Sequence, residues 1–158
     1  MKNILFVCTG NTCRSCMAEG ILRDILNKAN KDKKFNVGSV GVFANIPTGA
    51  SKYAIQVLKN GWGIDISSHK SKQLSKQDIK NADIILTMSR THKYIILSTQ
   101  KDSIGKVFTL KEYVKPNGAN ADIKDPYGGT YDDYKVCANE IKEYIQMFLE
   151  KYERGLDE

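Results

Sequence analysis

Four short apolar runs, each followed by a polar or helical stretch, leave this chain few possible architectures. The runs are NILFVC (residues 3–8), FNVGSVGV (35–42), DIILTM (83–88) and KVFTL (106–110). Near-continuous apolar runs of this length read as strands buried on both faces of a parallel sheet. Between them, Met17, Ile21, Leu22, Ile25 and Leu26 repeat on one helical face. Ala50, Tyr53, Ala54, Val57 and Leu58 form a second stripe, with Thr48 as the expected N-cap and Gly61 just past the end. Ser75 three residues before Asp78 predicts a capping box for a short helix. Residues 91–97 give a further helical segment, and residues 131–152 a long one that buries Ile141, Ile145, Phe148 and Tyr152. This alternation predicts an α/β fold, a doubly wound four-stranded parallel sheet in the flavodoxin-like order 2-1-3-4 with helices on both faces. With 158 residues and no repeat or linker, one domain over residues 1–158 is expected.

Sheets of this kind bind ligands at the carboxyl ends of their strands. The end of the first strand carries VCTGNTCRSCMAEG (residues 7–20), in which Cys8 and Arg14 are separated by five residues between a strand and a helix. A loop curled back on itself there turns successive N–H groups of Thr9, Gly10, Asn11, Thr12 and Cys13 inward and adds the positive end of a helix dipole. Gly10 and Asn11 are residue types that tolerate the left-handed backbone such a curl needs. Arg14 can clamp two phosphoryl oxygens. In that field Cys8 is expected to be a thiolate at neutral pH, a nucleophile aimed at phosphorus. Such a nucleophile needs an acid for the leaving group. Asp125 offers one in DPYGGT (residues 125–130), within the long irregular stretch 114–130.

Other chemistries fit less of the chain. Cys13 and Cys16 form a CxxC at a helix start, but a thioredoxin-like pair has no use for Cys8 and Arg14. Zinc lacks four ligands, since Cys137, His69 and His92 have no metal-binding spacing, and no metal is expected. A Walker A loop is excluded because no Lys-Ser/Thr follows the glycine. The formal charge of +6 favours anions. Part of the basic excess sits in residues 27–34 and part in 68–80, without interleaved aromatics, the pattern of solvated faces rather than of a nucleic-acid stripe. No run reaches the length of a membrane span, and the first strand turns polar at Thr9, unlike a signal peptide. A cytoplasmic protein with four reduced cysteines is expected, with neither nucleic acid nor membrane as partner.

These motifs resemble the low-molecular-weight protein tyrosine phosphatase family. VCTGNTCRS matches its phosphate loop and DPY its acid loop, and the likeness runs over essentially the whole chain. It implies that Cys8 is the nucleophile that becomes phosphocysteine, Arg14 the clamp, and Asp125 the general acid and later the base that activates water. Ser15 would assist the thiolate, and Asn11, Ser39 and His69 would support the loop. Residues 9–15 would surround the phosphoryl group, without cofactor. Phosphorylated proteins would be the substrates and inorganic phosphate the product. Thr12, GVFA (41–44), KVFTLKEYV (106–114) and DPYGGT resemble the family's protein arginine phosphatase branch. The expected substrate is therefore phosphoarginine, with phosphotyrosine as the alternative. Thr12 and Tyr127 would set that choice, together with Phe43 and Asn45. Cys16 stands where the family has proline, and Val40 replaces a smaller residue. Arsenate reductases share the loop but need a second cysteine pair, which residues 81–94 lack.

Overall fold

The alternation of apolar runs closes into one sheet. A computed structural model describes residues 1–157, with strands β1 (Lys2–Cys8), β2 (Phe35–Gly41), β3 (Ile84–Thr87) and β4 (Val107–Thr109). All pairings are parallel and the order is β2-β1-β3-β4, as expected. Helices α1 (Arg14–Lys28), α2 (Lys52–Trp62), α3 (Lys76–Asn81), α4 (Arg90–Thr99), α5 (Leu110–Val114) and α6 (Tyr131–Asp157) make up the rest, with a short 3₁₀ turn at Lys101–Ser103.

Successive strand residues point to opposite faces, and both faces are covered. Ile4, Phe6 and Cys8 of β1 pack with α1, α2 and α6 residues such as Met17, Leu58 and Phe148. Leu5 and Val7 point the other way, into a smaller cluster with Ile79 of α3 and Ile96 of α4. That two-sided burial is why the middle of β1 and most of β3 are continuously apolar. Since both cores are closed, the polar groups needed for chemistry gather at the carboxyl edge, where β1 runs into α1.

Several local expectations need correction. Thr48 does not cap α2: Ser51 holds that position, and the Thr48 N–H donates to Ser71 Oγ at 2.9 Å. Gly61 lies inside α2, and the left-handed stop is Gly63, with φ of 68°. Tyr53 is exposed and Tyr152 only half-buried. Helix α5 begins where the fourth strand was expected to continue, with Thr109 and Glu112 forming its capping box. The box of Ser75 and Asp78 forms as expected. The irregular stretch before α6 is pinned at Ile123, whose N–H donates to the Met88 carbonyl at the end of β3 and whose side chain is buried.

Candidate active site

The loop after β1 turns on Asn11. Its φ of 58° is left-handed, whereas Gly10 needs no such conformation. Asn11 is fully buried, and its amide is satisfied on both ends. Nδ2 donates to Ser15 Oγ at 2.7 Å and to Ser39 Oγ at 2.9 Å. Oδ1 accepts the Lys72 N–H at 3.0 Å, and the main-chain carbonyl lies 2.7 Å from His69 Nε2. Ser39 Oγ in turn donates to Glu19 Oε1 at 2.5 Å. Ser39 and His69, which the resemblance grouped with Asn11, both lie within hydrogen-bond distance of it. Glu19 and Lys72 had no sequence signal. A buried polar side chain with every group paired fixes a single loop shape.

The loop also needs Gly41. A Cβ there would lie 2.5 Å from the Thr9 carbonyl oxygen and 3.0 Å from the Asn11 nitrogen. The segment after β2 runs alongside the loop, with Val42 N–H donating to the Cys8 carbonyl and Phe43 N–H to that of Thr9. A glycine closing a strand was the one available hint of this close approach. Among the described residues, no protein acceptor takes the backbone N–H groups of Thr9 to Cys13. They remain available to a ligand.

Cys8 is buried at the floor with its Sγ 2.8 Å from Ser15 Oγ. Ser15 Oγ accepts from Asn11, and its own proton can go to the sulfur, with the Val40 carbonyl a more distant acceptor at 3.5 Å. Arg14 opens α1 and is buried. Its Nη1 donates to the Ile123 carbonyl at 2.9 Å, and Nη2 lies 3.4 Å from Asp125 Oδ2. Asp125 is half-exposed, and Oδ1 accepts the Tyr127 N–H at 3.1 Å, which ties residues 125–127 into a turn. Cys8, Thr12, Arg14, Phe43, Asp125 and Tyr127 line one cavity of about 520 Å³, and Asn45 lies along it. Phe43 and Tyr127 form an exposed apolar rim.

The remaining thiols differ from Cys8. Cys13 stands at the N-cap position of α1, with Sγ 3.0 Å from Ser51 Oγ and 3.3 Å from the Tyr134 hydroxyl. Burial and that bond to Cys13 push the Tyr134 phenol up to about 12. Burial, then the neighbouring Cys8 and Cys13, hold the Cys16 thiol well above its ordinary range. A thiol so reluctant to ionise is a poor attacking partner, which counts against Cys13 and Cys16 as a redox pair. His92 is a site neighbour that sequence reasoning set aside. Its Nε2 lies 2.9 Å from Thr9 Oγ1.

The family model described as low molecular weight phosphotyrosine protein phosphatase matches residues 3–157. A protein-arginine-phosphatase of Bacillus subtilis is 38% identical over 153 residues, covering 96% of this chain and 97% of the relative. The low molecular weight protein-tyrosine-phosphatase PtpB of Staphylococcus aureus is 40% identical over 142 residues, 90% of this chain and 93% of the relative. A YwlE arginine phosphatase mutant solved with a phosphorylated active site serine superposes with a TM-score of 0.86. It is 38% identical, and the match covers 96% of this chain and 95% of that one.

Proposed function

The chain belongs to the low molecular weight phosphotyrosine protein phosphatase family of hydrolases, and from that premise we propose that it removes phosphoryl groups from arginine side chains of proteins. Cys8 attacks phosphorus as a thiolate, forming the S–P bond as the P–N bond to the guanidino group breaks. Asp125 gives its proton to the departing nitrogen. The N–H groups of the loop and the Arg14 guanidinium hold the three equatorial oxygens as charge shifts onto them. Water then attacks the phosphocysteine, Asp125 takes the proton, and inorganic phosphate leaves as the thiolate returns. Ser15 favours the ionised sulfur, while Asn11, Ser39 and His69 keep the loop curled.

Thr12 carries the choice of arginine. It lines the cavity beside Cys8, and its hydroxyl, with the Asp125 carboxyl group at the mouth, offers polar partners to a planar guanidino group. Matched polar partners discriminate more sharply than shape does. Relatives with either activity in their names match at similar identity, so Thr12 is the observation on which the reading rests. The exposed rings of Phe43 and Tyr127 favour the second reading, a phosphotyrosine ring held between apolar walls.

Rates on phosphoarginine and phosphotyrosine peptides, measured under the same conditions, test the proposal. The natural chain should prefer phosphoarginine, and Thr12→Ile should shift the ratio toward phosphotyrosine by roughly tenfold or more. An unchanged ratio removes the argument from Thr12. Cys8→Ser should abolish turnover while phosphate analogues still bind.

A further inference from the structure

Resting on that reading of the site, we propose that Ser89, His92 and Thr9 form a hydrogen-bonded chain that gives the phosphoryl pocket a side-chain donor, with His92 as its positioning residue. His92 lies in the first turn of α4 and is 3% exposed. Its ring is held at both nitrogens: Nδ1 lies 2.9 Å from Ser89 Oγ and Nε2 2.9 Å from Thr9 Oγ1. Ser89 Oγ caps α4 by accepting the His92 N–H at 3.5 Å. Among the described residues, the Ser89 proton has no other acceptor than Nδ1. Either hydroxyl could donate to the ring, but Ser89 is partly buried and Thr9 is exposed to the pocket, so Ser89 has the greater need of Nδ1 as its acceptor, which places the proton of the neutral ring on Nε2.

Nε2–H then donates to Thr9 Oγ1, so the threonine oxygen is an acceptor on the side of α4. Its own proton has no protein acceptor among the described residues. Thr9 lines the same cavity as Cys8 and Arg14, so that proton is left for an oxygen of the bound phosphoryl group. This support is separate from the Asn11 network, which involves β2 and the segment around His69 and Lys72. The geometry works with a neutral ring, and burial and then the nearby Arg14 keep it neutral, at about 4. The charged groups that face it are Arg14 of α1 and, from the acid-loop stretch, Asp125 and Asp122.

Calorimetric titration with sulfate, a tetrahedral dianion, reads the pocket without any chemistry. At pH 7 the Thr9→Val and His92→Ala variants should each bind sulfate roughly tenfold more weakly. The double variant should be no weaker than either, since both lose the same bond. His92→Gln, which can present an N–H near the Nε2 position, should recover most of the affinity, as a purely structural role would not allow. Wild-type affinity in Thr9→Val, additive losses, or a Gln variant that melts like wild type yet binds no better than Ala would each overturn the proposal. Thr9→Val reports on the donor itself, and the rescue by His92→Gln reports on the ring that positions it. Turnover by Cys8→Ser would instead overturn the reading of the reaction and leave these affinities untouched.

Discussion

Gly41 has almost no room to change. A methyl group placed there meets a carbonyl oxygen and an amide nitrogen of the loop after β1, both main-chain atoms that cannot rotate away. Gly41→Ala should therefore cost about 1–3 kcal/mol of stability and weaken phosphate binding, because relief requires the loop itself to shift. Urea unfolding and phosphate titration of the variant check this; wild-type values in both would mean that the two backbones part freely. Residues whose chemistry lies in consecutive order, such as Cys8, Arg14 and Ser15, were legible from the sequence. Gly41, Glu19, Lys72 and His92 were not. Each acts through a partner brought near only by the packing of strands and helices, and an isolated Gly, Glu, Lys or His has many more ordinary uses.

Among the elements, strand order followed from composition and connection rules, while helix ends depended on what else the end residues touch. Thr48 has the right chemistry for a cap but bonds to Ser71. Ser51 takes the position without a capping hydrogen bond, its hydroxyl lying against Cys13 and its N–H donating to the Thr12 carbonyl. Helix α2 is thus started by the active-site loop. Its other end gives a prediction with opposite signs two residues apart. A Cβ at Gly61 meets nothing within 4 Å, so Gly61→Ala should stabilise the protein by about 0.5–1 kcal/mol. Gly63 is left-handed, and Gly63→Ala should destabilise it by about 1 kcal/mol. Thermal melts of the pair check both signs. Helix α5 was hidden because Leu110 reads equally well as the end of a buried strand or the start of a helix.

At the scale of the molecule, His92 ties stability to acidity. Its folded value of about 4 lies below the ordinary 6.5, so below pH 6.5 the unfolded chain binds the extra proton. The contribution is fully present above pH 6.5 and lost as pH falls toward 4, amounting to about 3 kcal/mol. Urea unfolding of wild type and His92→Gln between pH 7 and 4.5 should show the variant losing less; parallel losses would exclude His92 as the cause. One arrangement links the early part of the chain to the late part. Arg14 is held by the carbonyl of Ile123 and faces Asp125, more than a hundred residues further on. A nascent chain can therefore expose its thiol long before synthesis reaches the segment that steadies its guanidinium. Turnover reports a finished molecule, and a translation product cut short before that segment should be chemically silent even where its first strand and helix have formed.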